Sequence, residues 1–252
     1  MNLLAGFSDI AVWQLVGIGA VAFIANVLGG IAGYGTGVLL PLVLVPLIGA
    51  APVVPIIAIS AMFTNTSRVV AFRAHADWRR ALIALVAAIP TCIVGAWGYT
   101  LLTGKGAAIV IGGMLMLSVP LRRLLKHHGV HFTDTGFAAG SFGYGVLVGG
   151  TAGSGVIMLS LLMAAGLQGS AVVATDAMIS IVITSVKIAV FGLAGVLTVQ
   201  VVAFAILVGL CALPGPFLAR ALLKRMPVHF HAAILDAVVL FGGAVLVIDG
   251  LR

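Results

Sequence analysis

The sequence predicts an all-α polytopic membrane protein, and three observations lead there. Of the 252 residues, 62% are apolar and 8% are charged, against about 45–50% and about 25% in water-soluble domains. The apolar residues gather in runs of roughly 20, the length of a helix that crosses ~30 Å of hydrocarbon. A membrane β-barrel needs strict apolar/polar alternation, which stretches such as Ala81 to Pro90 lack. The chain contains no glutamate, so soluble enzyme classes built on glutamate acid/base pairs are not expected.

Apolar segments are predicted, in order, at residues 9–28, 36–49, 52–72, 79–102, 106–125, 134–149, 156–168, 170–194, 198–223 and 229–250. No Lys or Arg precedes Arg68, so the first run lacks the positive region of a secretory signal and is expected in the mature protein. The segments at 36–49 and 156–168 are too short to span comfortably, and each follows a glycine-rich break. Short, glycine-interrupted segments at corresponding places in two halves point to a transporter binding site. Trp13, Trp78, Trp97 and Tyr99 lie near predicted segment ends, where an interfacial aromatic belt explains them. Cys92 and Cys211 sit far apart inside apolar runs and read as small buried hydrophobes, with no disulfide or metal framework implied.

The net charge of +7 is a topology signal and no sign of a nucleic-acid partner. Arg73, Arg79 and Arg80 occupy one loop, Arg122, Arg123 and Lys126 a second, and Arg220, Lys224 and Arg225 a third. With all three loops cytoplasmic, the positive-inside rule is obeyed and both termini lie outside. An odd number of segments per half then inverts the second half relative to the first.

Sliding the chain by 120 positions aligns Gly29-Gly30-Ile31-Ala32-Gly33-Tyr34-Gly35 with Gly149-Gly150-Thr151-Ala152-Gly153-Ser154-Gly155, so GGxAGxG occurs twice. The same offset pairs Gly49 with Gly169, Ser60 with Ser180 and Thr64 with Thr184; one slipped residue pairs Arg68 with Lys187, and Pro90 and Pro214 lie at similar points of the next segment. Glycines in register beside matching polar positions indicate duplication, with membrane repeats at 1–128 and 129–252 forming one integral domain. The expected architecture is two inverted repeats, each a glycine-rich broken or re-entrant helix pair plus three spanning helices.

Non-helical chain at membrane depth survives only where protein buries it or it lines a wet cavity. The expected non-helical stretches are Gly29 to Gly37 and Gly149 to Gly155, followed by short helices starting near Thr36 and Val156. Glycines let backbone N–H groups converge, and helix N-termini add positive dipole ends; both favour an anion. The candidate binding residues are Gly33, Tyr34, Gly35, Thr36 and Gly37 in the first break and Gly153, Ser154 and Gly155 in the second. Asp176, Ser180, Thr184 and Lys187 share one helix face, and Ser60, Thr64, Asn65, Ser67 and Arg68 lie along a comparable one. From these, Asn65, Arg68, Thr184 and Lys187 join the binding set, because charged groups inside a span point to a partner or a wet cavity. Lys187 is also placed to snorkel outward, and Arg68 to open the cytoplasmic basic cluster. Asp176 is a coupling candidate or a neutralising partner for Lys187. The GYGTG run lacks the strand and lysine of a phosphate-cradling loop. His127, His128 and His131 have only Asp134 nearby as a fourth metal ligand, so they read as solvated cytoplasmic residues, as do His229 and His231. No metal and no cofactor are predicted.

The AGYGTGVLLP run at Ala32 to Pro41, the stretch Thr64-Asn65-Thr66-Ser67-Arg68, the Ala76-Asp77-Trp78-Arg79 segment start, Ile89-Pro90 with Gly95, and the second glycine motif at Gly149 to Gly155 together resemble the TauE/SafE sulfite exporter family, also called the TSUP family. The resemblance covers nearly the whole chain. It implies a multi-pass carrier in a prokaryotic cytoplasmic (inner) membrane, moving sulfur-containing anions such as sulfite, sulfoacetate or other organosulfonates, commonly outward. The family often has consecutive glycines where this chain has Tyr34-Gly35-Thr36-Gly37, and Ser160 and Leu161 stand where Leu40 and Pro41 would correspond. These departures bear on the substrate more than on the fold.

The expected function is therefore secondary transport of a small sulfur oxyanion by alternating access, with proton coupling through Asp176 as one form of it. A passive anion channel is the rival within membranes. An intramembrane hydrolase using Ser154 with His229 or His231 is the rival enzyme, and it is disfavoured because the repeat mate of Ser154 is Tyr34. The partners expected are the anion and membrane lipid.

Overall fold

The computed structural model describes residues 10–32, 36–127, 132–215 and 229–251, with Phe7 and Leu218. Among these the chain is helical throughout, with no strand. Ten α-helices run in order: α1 (Val12–Ala32), α2 (Thr36–Ile48), α3 (Val53–Phe72), α4 (Trp78–Thr100), α5 (Gly104–His127), α6 (Asp134–Gly150), α7 (Gly155–Ala164), α8 (Ser170–Leu193), α9 (Val199–Ala212) and α10 (His229–Leu251). Four of them, α3, α4, α5 and α8, are long and apolar enough along their described residues to cross a membrane. Their outer faces are apolar: Leu82, Val86, Val94 and Leu193 are all exposed, as a lipid-facing surface requires. With 13 and 10 residues, α2 and α7 reach only ~20 Å and ~15 Å at 1.5 Å per residue, short of the ~30 Å hydrocarbon layer.

Helices start and stop for local reasons. The Asp77 carboxylate accepts from Arg80 N at 2.9 Å and caps α4, the Thr133 hydroxyl caps α6 and the Thr198 hydroxyl caps α9. The described part of α9 ends at Ala212, where the chain turns at Leu213 and Pro214; the predicted segment end at 223 lies outside the described residues. Asn26 supplies a donor to this end, its Nδ2 lying 2.5 Å from Ala212 O. The segment predicted at 156–168 ends at Ala164 as α7, where Gly166 turns the chain with φ +95°.

Small residues set the closest packing. Ala84, Ala88, Cys92 and Ala96 recur every fourth residue on the buried face of α4 and meet Ser141, Gly145 and Gly149 on α6. A side chain at Gly145 would strike the Ala88 carbonyl, and one at Gly149 the Cys92 carbonyl. The Thr91 hydroxyl crosses the same seam to Phe142 O at 2.9 Å. Gly112 and Gly243 bring α5 and α10 together in the same way. Cys92 is buried in the seam as a free thiol, and Cys211, also free, is half-buried.

Neighbour relations recur when the two halves are exchanged. Packing of α4 on α6 is matched by α9 on α1, of α3 on α9 by α8 on α4, and of α5 on α7 by α10 on α2. Gly95 abuts Val146 and Gly150, while Gly215 abuts Asn26 and Val27; Gly95 and Gly215 are 120 positions apart, as are Asn26 and Val146.

Trp13, Trp78 and Trp97 are exposed near helix ends, as an interfacial belt predicts. Tyr99 is a correction: it is buried against Phe191, and its hydroxyl donates to Ala50 O at 2.8 Å, where it holds the α2–α3 turn. Asp134 receives Arg79 and Arg80 at 2.5 Å each and ties α4 to α6. His128 and His131 lie outside the described residues, and the side chains of His127, His229 and His231 are likewise outside them.

Replacing Gly149 by Val should lower the thermal unfolding temperature of the detergent-purified protein, at a cost of about 1–3 kcal/mol from overpacking a backbone seam. Gly143→Ala, with nothing within 4 Å of the new methyl group, should leave that temperature unchanged or raise it.

Candidate functional site

The second glycine break runs from Thr151 to Ser154. It is shorter than predicted because Gly149 and Gly150 remain helical, held in the α4 seam. In the first half, Gly29 to Ala32 also continue the helix where a bend was expected, and α2 begins at Thr36. Gly33, Tyr34 and Gly35 lie outside the described residues, and only the backbone of Thr36 is described. The start of α2 meets the second break. A Cβ on Gly37 would sit 2.9 Å from Gly153 N and 3.2 Å from Gly153 Cα, and one on Gly153 would sit 3.2 Å from Gly37 O. Gly153 has φ +83°, a conformation that strains any residue with a side chain.

A helix that stops inside the protein leaves its last carbonyls without amide partners. At the end of α6 these are met by side chains. The Thr151 hydroxyl donates to Leu147 O at 2.5 Å, and Lys187 Nζ donates to Val148 O at 2.5 Å and Thr151 O at 3.1 Å. Lys187, on α8, is 6% exposed, so it does not snorkel outward, and its positive charge sits at the negative end of the α6 dipole. An ammonium carries three protons; two go to these carbonyls and one remains.

Around this junction lies a cavity of about 170 Å³, comparable to an engineered ~150 Å³ cavity that admits benzene. It gathers nine of the predicted residues: Gly37, Asn65, Arg68, Gly153, Ser154, Gly155, Thr184 and Lys187, with the coupling candidate Asp176. The face of α3 bearing Thr64, Asn65 and Arg68 lies across from the face of α8 bearing Asp176, Ser180, Thr184 and Lys187. Ser60 is buried but turned away, its hydroxyl donating to Ile57 O at 3.0 Å. Arg68 Nη1 stands 3.6 Å from Asp176 Oδ2, so the carboxylate neutralises Arg68 and not Lys187, and two cations face one anion across the cavity.

Sequence reasoning missed Asn26, Tyr144 and Thr151, which also line the cavity. Asn26 and Tyr144 are polar residues inside otherwise apolar runs, each a few positions before a GG pair, and that placement was the available signal. Thr151 stands in the glycine motif itself.

The family model described as Sulfite exporter TauE/SafE matches residues 18–246. The chain belongs to the TauE/SafE family. The comparisons with curated proteins and with solved structures gave no match. TauE/SafE membership implies sulfur-anion transport across a membrane, the role of a transporter, and the family match takes in both glycine motifs and both polar faces. In this TauE/SafE chain, Ser154 is 2% exposed and starts α7 without a side-chain capping bond.

Lys187→Met should destabilise the detergent-purified protein by about 1–3 kcal/mol, the effect of leaving buried acceptors unsatisfied. Thermal unfolding of this variant beside Thr151→Val, which removes one donor to the same helix end, checks the capping role.

Proposed function

We propose that this chain exports small sulfur-containing oxyanions, sulfite or an organosulfonate such as sulfoacetate, by alternating access across a prokaryotic cytoplasmic membrane. The observation that carries this reading is the polar cavity where Gly37 of α2 meets the second glycine break at Gly153, with Arg68 and Lys187 on opposing helices. Its size suits one small anion, and the start of α7 at Gly155 turns unpaired amides and a positive dipole end toward it. Arg68 and Lys187 hold the anion's charge, Asn65 and Thr184 offer uncharged hydrogen bonds, and the glycines at 33–37 and 153–155 admit close approach of backbone amides. Tyr34 and Thr36 join them from the first break.

The two halves, 1–128 and 129–252, act as inverted repeats that rock about the breaks. The recurrence of neighbour relations under exchange of the halves supports this. The basic loops face the cytoplasm and both termini face outward. Asp176, paired with Arg68 at 3.6 Å, is the group through which a proton gradient couples to transport.

In a thermal-shift panel of sulfite, sulfoacetate, taurine, sulfate and thiosulfate, a sulfur-anion carrier is stabilised selectively by its substrate. Proteoliposomes should show saturable countertransport, whereas non-saturating conductance would make the chain a channel. Lys187→Ala, Arg68→Gln and bulky replacements at Gly33 or Gly153 should abolish sulfite binding while the protein stays inserted; normal sulfite movement by Lys187→Ala and Arg68→Gln sinks the electrostatic assignment. Ser154→Ala should keep transport, against a hydrolase.

A further inference from the structure

A carboxylate is an unexpected wall for an anion site. Asp176 is 3% exposed, it lines the cavity, and its Oδ1 has no hydrogen-bond partner among the described residues. Its Oδ2 lies 3.6 Å from Arg68, beyond the 2.7–3.2 Å range of an N–H···O bond. Buried carboxylates are almost always met by donors, and the protein groups around this one leave it short. The donor then comes from what occupies the cavity, water before an anion enters and the anion itself afterwards. The acid is also one-sided: 120 positions earlier stands Ile56, so the duplication does not account for it.

Resting on the anion-site reading above, we propose that Asp176 makes the cavity selective for monoanions that carry their own hydrogen-bond donor. Such a ligand is a protonated oxyanion, or a sulfonate bearing a hydroxyl group. Its negative oxygens lie toward Arg68 and the remaining proton of Lys187, and its donor points to Asp176. A donor-free sulfonate leaves the carboxylate unsatisfied, and a dianion adds repulsion in a site whose three ionic side chains sum to a single positive charge, so of the anions proposed above hydrogensulfite fits and sulfoacetate, a donor-free dianion, does not. A buried acceptor that goes unpaired when the wrong ligand binds discriminates more sharply than any missing apolar contact.

The test compares isethionate with ethanesulfonate, which share one charge and differ by a hydroxyl, with sulfate as the donor-free dianion. Calorimetric titration of the detergent-purified protein should show isethionate binding at least about tenfold more tightly than ethanesulfonate, the effect of one hydrogen bond to a charged acceptor. Sulfate should be weaker than isethionate. In Asp176→Asn the isethionate preference should shrink to less than about threefold, because an amide also has a donor to turn toward the ligand. Equal wild-type affinities for isethionate and ethanesulfonate, sulfate binding as tightly as isethionate, or a preference that survives in Asp176→Asn each overturn the proposal while the anion site stands. A protein that binds none of these and no sulfite overturns the anion site itself, and this inference with it.

Discussion

Everything in this protein turns on what a broken helix does with its loose backbone groups in a medium without water. A carbonyl released in hydrocarbon is costly to leave unpaired, so a break at membrane depth persists only if other parts of the chain come to it. Lys187 reaches from α8 to Val148 and Thr151, and Asn26 reaches from α1 to the end of α9 at Ala212. In both cases a side chain distant in sequence completes a helix terminus.

Function follows from the same requirement. A lysine brought in to cap α6 is held by two carbonyls, and its charge is delivered to the junction where Gly37 meets Gly153. Under the proposed function, capping and ligand attraction are two uses of one ammonium group. Arg68 has a different relation to its surroundings, facing Asp176 across the cavity at 3.6 Å. Under the proposed mechanism the anion competes for that guanidinium, and this ties its arrival to the contact between α3 and α8.

The framework around the junction is stiff where α4 meets α6. Gly145 and Gly149 bring the α6 backbone against the Ala88 and Cys92 carbonyls, and Arg79 and Arg80 clamp the N-terminus of α6 through Asp134. With lipid no less apolar than leucine, close backbone approach and polar clamps replace hydrophobic burial as the adhesive. The short helices α2 and α7 do not span by themselves.

Among the described residues, helix order and the polar faces of α3 and α8 could be read from residue periodicity, because in a membrane each span must satisfy its own backbone and so announces itself as an apolar run. The second GGxAGxG motif likewise marked the break between α6 and α7, and nine of the residues singled out in the glycine-rich stretches and on the two faces line one cavity. Folding in three dimensions settled the rest. Gly149 and Gly150 stayed helical because α4 packs on them, Tyr99 turned inward to Ala50, and Asp176 went to Arg68, leaving Lys187 to the end of α6. Each of these depends on which helices become neighbours, and pairing between distant segments leaves no periodic trace in the order of residues.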